Sequence, residues 1–378
     1  MKGWTPKIIA AGLLLVALLG GEGKRCTPQA TLTLHLWDPA GNPIPGRVTI
    51  EGIDGTPDPE LAPIPIYDGD LGPFPVAEGT GNRRYTLSGT VTLQIPPGRY
   101  RVWASRGLAY TLFETEIEAV ADEEILLEAR LEEAIDTTGW RSADFHVHAR
   151  PSSDSQVPLE ARIFSLVGEG IEYVAATDHN RLTDYRPVIE ALGVGDLLVA
   201  SVGDEITTGV RGHFNAFPLD AASAPPSPAM PIPAIFEGIE ALPGEEVLQV
   251  NHPRFEGAGY FDTIALDPQT GATENPNASF AFQAMEVLNG ISDKELSLDA
   301  PPQTMLDWFH LLSRGYRFTA TGNSDSHTLT AEVGYPRNYV AVPEGTDDVE
   351  GAVVAAVRAH RVVVSHGPLP TFTVDGVA

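Results

Sequence analysis

The chain is short of the residues that several common chemistries require. It has one cysteine, Cys26, in 378 residues, so it forms no disulfide within itself and offers no cysteine-based zinc knuckle. Any metal must be held by His, Asp and Glu. Positive charge is also scarce: 24 Lys and Arg stand against 51 Asp and Glu, a formal net charge of −27. So acidic a surface has little with which to neutralise phosphates, which excludes a general nucleic-acid binder. An anionic substrate would have to be drawn in locally, by metal ions or single arginines. No Gly-x-Ser-x-Gly nucleophile elbow, P-loop or Gly-x-Gly-x-x-Gly occurs, which sets aside the chemistries built on them. There is no internal repeat, and the only biased tract is the proline-rich Ala221–Pro233.

What is present suits a folded, exported protein. The hydrophobic fraction is 43%, ample for a core, and the length favours two domains. At the N-terminus, Lys2 and Lys7 precede an apolar run, Ile8 to Leu19, followed by Gly20, Gly21 and Gly23. Positive, then apolar, then small is the order of a secretory signal peptide, here residues 1–25, and the run is short for a membrane span. The expected location is periplasmic or extracellular. Cys26 offers an alternative, a lipid anchor, although Gly23-Lys24-Arg25 departs from the small uncharged residues that such anchors favour.

From Thr31 to about Leu131 the pattern alternates with period two. Leu32, Leu34 and Leu36 interleave with Thr31, Thr33 and His35, and Val91, Leu93 and Ile95 repeat the pattern. Asp38–Pro43 and Pro96-Pro97-Gly98 supply turns, and Gly55–Gly81 reads as a long loop. The expectation is a small antiparallel sandwich over residues 26–136. Asp38–Ile50 and Pro97–Val102 resemble the carboxypeptidase-regulatory-like sandwiches attached to exported enzymes.

After Thr138-Gly139, strand-like and helix-like runs alternate. Ala143–His148 precedes a helix over Pro158–Glu169, Tyr173–Thr177 precedes Tyr185–Leu192, and Gln303–Arg314 and Asp348–His360 are later helices. Such alternation predicts parallel strands covered by helices, as a barrel or an open sheet, over residues 137–378. In these folds the C-terminal strand ends converge on one mouth. At such ends stand His146-Val147-His148, Asp178-His179, Asp204-Glu205, His213, His252 and Asp325-Ser326-His327, with six of the ten histidines among them. Singly, each has an ordinary explanation: Asp178 a helix cap, Glu205 a solvated acid, His252 a loop residue. Jointly they point to divalent cations, because imidazoles and carboxylates ligate zinc, manganese and iron alike.

The order of these motifs resembles the polymerase-and-histidinol-phosphatase (PHP) superfamily. Asp144-Phe-His-Val-His-Ala, Gly212-His-Phe-Asn-Ala-Phe, Asn251-His-Pro-Arg and Gly322-Asn-Ser-Asp-Ser-His resemble its carbaryl-hydrolase-like (CehA/McbA) branch. The resemblance implies a distorted (β/α)7 barrel with two or three metal ions. It implies that His146, His148 and Asp325 hold one metal, and that Glu205 bridges it to a second held by His213 and His252. Asp154, His179 and His327 would hold a third. It places Asp144 and Asp178 behind the ligands, orienting imidazoles through their other ring nitrogen. Arg254, beside His252, is a candidate for meeting a substrate anion or a developing oxyanion, so Glu205, Asp325 and Arg254 are the expected catalytic residues. The implied activity is cleavage of a small phosphoester, or of a carboxyl or carbamate ester, by metal-activated hydroxide. The rival from another class is a metal-containing binding protein without turnover.

Overall fold

The computed structural model describes residues 28–61, 80–290 and 301–369. The leader-like segment, Cys26, most of the Gly55–Gly81 loop and the strand expected within Thr371–Ala378 lie outside the described residues.

The first strands are β1 (Ala30–Trp37), β2 (Gly46–Gly52), β3 (Arg83–Thr86), β4 (Thr90–Ile95), β5 (Gly98–Ser105), β6 (Phe113–Ala119) and β7 (Glu124–Arg130). They form two sheets, ordered β4-β1-β7 and β3-β2-β5-β6. Period-two alternation puts Leu32, Leu34 and Leu36 wholly inside, where they meet Val48, Ile50, Tyr100 and Val102 of the other sheet in one apolar cluster. Burying each such side chain stabilises by roughly 1.5–3 kcal/mol. The expectation of purely antiparallel pairing is corrected in one place. β1 and β7 run parallel from Thr31↔Glu124 to Trp37↔Arg130. Because β6 and β7 lie in different sheets, no hairpin forces β7 to run against its neighbour.

The rest of the chain alternates strand and helix: β8 (Trp140–Val147), α1 (Leu159–Gly168), β9 (Tyr173–Ala176), α2 (Arg186–Ala191), β10 (Val199–Val202), β11 (Asp204–Thr207), β12 (His213–Phe217), α3 (Ile232–Glu240), β13 (Val247–Asn251), α4 (Tyr260–Thr263), β14 (Ala284–Asn289), α5 (Gln303–Ser313), β15 (Thr319–Asn323), β16 (Arg337–Ala341), α6 (Val349–Arg358) and β17 (Val362–Ser365). α6 starts where Asp348 accepts the Gly351 N–H, a side-chain cap, and turns Val353, Val354 and Val357 inward. α3 starts inside the proline-rich Ala221–Pro233 tract, because proline in a first helical turn forfeits no hydrogen bond.

Two five-stranded sheets result, ordered β10-β9-β8-β16-β17 and β11-β12-β13-β14-β15. The fold is mixed α/β, and the expectation of parallel strands holds for only part of it. β8/β9, β9/β10, β13/β14 and β14/β15 are parallel, whereas β11/β12, β12/β13, β8/β16 and β16/β17 are antiparallel. The short Thr208–Gly212 link between β11 and β12 can only make a hairpin, since a parallel crossover needs a dozen residues or more. Isolated bridges, Val147↔Ser326 and His179↔Glu205, join the two sheets where β8 and β9 end. The site lies at that junction.

Candidate metal centre

The first ligands come from the end of one strand. β8 carries Asp144 and His146 and ends one residue before His148; its register against β9 shifts after Asp144, and all three residues are buried. Glu205 on β11, His213 opening β12, His252 just past β13, and Asp325 and His327 just past β15 come to the same place. His252 and Asp325 have φ of 25° and 51°. Left-handed backbone at non-glycine residues is costly, and such strain collects at functional sites.

The nine side chains expected to bind metal fall into four overlapping groups. These are His146/His148/Asp325, His146/Glu205/His252, His179/Glu205/His213 and His148/Asp154/His179/His327, with potential ligand atoms within 4.8 Å of one another in each. Glu205 is central: its Oε1 lies 3.3 Å from His146 Nε2, 3.2 Å from His213 Nδ1 and 3.6 Å from His252 Nε2. Asp325 Oδ1 lies 3.2 Å from Nε2 of both His146 and His148. Asp154 Oδ2 is 3.1 Å from His179 Nε2 and 3.3 Å from His327 Nε2. The grouping differs from the expectation in two respects: His213 and His252 stand in separate groups, with His179 and His146 respectively, and His148 joins Asp154, His179 and His327.

These residues fit divalent cations. His146 Nε2 and His148 Nε2 face the cluster, are buried and make no hydrogen bond. Carboxylate oxygens of Glu205 and Asp325 lie 3.3 and 3.2 Å from the first and one of Asp325 lies 3.2 Å from the second, the crowding expected when lone pairs converge on a third atom. An unsatisfied buried polar atom costs about 1–3 kcal/mol, and a ligated cation removes that cost. The donor set of imidazoles and carboxylates, sharing Glu205 between groups, suits a cluster of two or three ions.

Without cations, the charges settle among the side chains. Burial works against the His146 imidazolium, but Asp325, Glu286 and Glu205 outweigh it and hold this histidine well above its usual value. His179 is likewise raised to about 10: burial opposes the charge, while bonds to Asp154 and Glu205 overcome it. His148 goes the other way, to about 3, chiefly because it is buried. Burial opposes the Glu205 and Asp325 carboxylates too, yet neighbouring histidines keep both below the ordinary carboxylate range.

The residues behind the ligands are those the sequence did not disclose. Glu286 on β14 is buried. Its Oε1 faces His146 Nδ1 at 2.8 Å and accepts from Asn323 Nδ2 at 2.9 Å. Its Oε2 accepts from His252 N–H at 2.6 Å and Asn289 Nδ2 at 2.9 Å. Asn289 also reaches Asp325 Oδ2 at 3.2 Å. One carboxylate thus orients three ligands. Asn251 donates to Glu205 Oε1 at 3.0 Å and to Asn215 Oδ1 at 2.7 Å. Ser152 Oγ is 3.0 Å from His148 Nδ1. The signal was available: Asn215 stands two after His213, and Asn323 two before Asp325. On β12 period two puts Asn215 on the face of His213, whereas Asn323 is the last residue of β15 and Asp325 follows it.

Three expectations change. Asp144 and Asp178 do not orient imidazoles: their carboxylates accept backbone N–H groups, of His146, Ser324 and Gly334 for the former and Ala149 for the latter. Arg254 is committed elsewhere. It donates to Asp307 through Nε and Nη2, to Asp262 through Nη1 and to Leu266 O through Nη2. Four of its five N–H groups are taken, because buried Asp307 needs a counter-charge, so little is left for a substrate.

No family profile matches the chain, and no curated protein matches it. Solved structures with some likeness include a two-domain protein from Bacteroides vulgatus containing a predicted PHP-like metal-dependent phosphoesterase, at 20% identity and a TM-score of 0.44 over 62% of this chain. The aligned region is 66% of that protein, just under two thirds of its length. PsfC from Pseudomonas syringae aligns at 18% identity and a TM-score of 0.41, over 58% of this chain and 88% of its own. An amidohydrolase from Chromobacterium violaceum with bound sulfate and no metal aligns at 17% identity and 0.32, over 58% of this chain and 97% of its own. At these identities and scores the reading of the site rests on its own geometry.

Proposed function

We propose that this chain is an exported, metal-dependent hydrolase of the PHP type, close to its carbaryl-hydrolase-like branch, with a sandwich domain preceding a distorted seven-stranded barrel. One observation carries the reading: nine imidazoles and carboxylates, drawn from residue 146 to residue 327, meet in four overlapping ligand groups. His146, His148, Glu205, His252 and Asp325 would hold the buried ions, with His213 at their edge, and Asp154, His179 and His327 would complete an outer position. Divalent ions held there would acidify a water to about pKa 7 and polarise the scissile ester or phosphoester.

The chain's own residues set the direction of approach. His146 and His148 are fully buried and form the floor, whereas Asp154 has 51% of its side chain exposed. Substrate therefore enters over Asp154, His179 and His327. Neighbouring histidines hold Glu205 and Asp325 below the ordinary carboxylate range, so both offer anionic oxygens to cations. With Arg254 engaged, an anionic phosphoester depends on the bound cations for attraction, while a neutral ester or carbamate meets no charge barrier.

Metal-loaded protein should turn over either p-nitrophenyl phosphate and its diester or naphthyl acetate and naphthyl carbamates. Inhibition by inorganic phosphate marks the first case. Stoichiometric metal with no turnover on either panel would favour the binding-protein alternative. Export is read from residues 1–25, outside the described region, and N-terminal sequencing of the secreted protein tests it.

A further inference from the structure

The loop after His327 is tied to the N-terminal sheets rather than to the hydrolytic part alone. Arg83, opening β3, donates through Nη1 to Thr330 O at 2.7 Å, three residues beyond His327. Its Nη2 pairs with Glu332 Oε1 at 2.8 Å, the same oxygen that Arg47 on β2 approaches at 3.5 Å. Arg47 in turn pairs at 2.7 Å with Glu169, a fully buried carboxylate at the end of α1. Packing holds part of this loop, since Leu329 is buried against Val157 and Ala161, while on the opposite side Ser324, Thr328, Thr330, Ala331, Glu332 and Tyr335 line a cavity of about 760 Å³. At Thr330, which faces the cavity, polar ties add to that packing.

We propose that Arg83 is a positioning residue for His327, so that the N-terminal sheets are a working part of the outer ligand group of His148, Asp154, His179 and His327. This rests on the reading of that group as a cation site. The other end of the segment is already fixed, because Arg162 donates to Ser326 Oγ and O, and Ser155 donates to His327 O. Within the loop Ser326 Oγ lies 3.0 Å from Thr328 O and 2.6 Å from Ala331 O, and Arg83 adds the second anchor, the one that comes from the N-terminal sheets. Between two anchors the His327 ring keeps its place, stacked on His148 at 3.9 Å between centroids.

The test is metal titration of full-length protein with Zn²⁺ and Mn²⁺, reading stoichiometry and affinity by elemental analysis and chelator competition. Arg83→Ala should weaken the last, weakest cation about ten-fold, in the range known for residues that support ligands, and leave the tighter ones unchanged. Arg83→Lys, which keeps a donor to Thr330 O, should recover part of the loss. In a His327→Ala background, Arg83→Ala should change nothing further. The inference is overturned if Arg83→Ala leaves the last cation unaffected, or weakens all cations equally, or acts as strongly without His327. If Arg83→Ala does not fold, Glu332→Gln carries the same comparison with a smaller effect. Wild-type protein that binds no cation would instead defeat the hydrolase reading itself.

Discussion

The two interiors of this molecule are built on the same strand periodicity and filled with opposite chemistry. Between the N-terminal sheets the inward positions are Leu32, Leu34, Leu36, Val48, Ile50 and Val102. Where β8, β12, β13, β14 and β15 face inward, they present His146, Asn215, Gln249, Asn251, Glu286 and Asn323, all buried. The first interior stabilises through area removed from water and tolerates small shifts. The second must satisfy every donor and acceptor by direction, and it leaves several ligand atoms unsatisfied. One region is organised for stability and the other for holding charge at fixed points.

Substitutions should separate these roles. The largest effect is expected at Asp325: Asp325→Ala should lower hydrolytic activity by more than the about 10–100-fold that loss of a mere ligand support costs, with the far-UV circular dichroism spectrum retained. Next comes Leu34→Ala, which should destabilise by about 2–5 kcal/mol, seen in denaturant unfolding, while metal stoichiometry stays that of the wild type. A lost cation on Leu34→Ala would mean that the two interiors are not separate in function. Glu286→Gln keeps the shape but gives up one acceptor oxygen, and should weaken cation binding about 10-fold or more by the same support argument.

The smallest effect is a pH dependence confined to metal-free protein. Raised histidines contribute stability in full below their ordinary value of 6.5, and lose it as pH rises toward about 10 for His179. The depressed Glu205 contributes above its ordinary 4.5 and loses that as pH falls through its lowered value. From the raised histidines and Glu205, metal-free protein should therefore draw most stability between pH 4.5 and 6.5, with the lowered His148 favouring the upper end of that window. Metal-loaded protein should move its optimum upward, because cations displace protons from the same imidazoles. Thermal melts across pH with and without chelator measure the shift; identical profiles would contradict it.

Much of this was legible in the sequence, for identifiable reasons. Alternating leucines set β1, and the Asp348 cap and valine spacing set α6, because local chemistry decides both. The ligand-bearing residues were readable because histidine at a strand end is uncommon and six recur in one segment. Three things were hidden. The parallel pairing of β1 with β7 depends on which sheet each strand joins, which no local pattern states. Glu286, inside the run Ala284–Leu288 that is otherwise apolar, and the asparagines behind the ligands looked like ordinary polar residues until the two sheets were brought together. Arg254 stood beside a ligand in sequence, yet its partner Asp307 lies 53 residues away on α5, and only the fold shows that the pair is closed.

Cation uptake decides whether the polar interior is what it is taken to be. Protein stripped with chelator and titrated with Zn²⁺ or Mn²⁺ should bind two or three ions per chain, and Glu205→Ala should bind fewer because that carboxylate is shared between groups. Stripped protein that takes up no divalent ion under any condition, or a Glu205→Ala variant that binds as many as the wild type, would contradict the account.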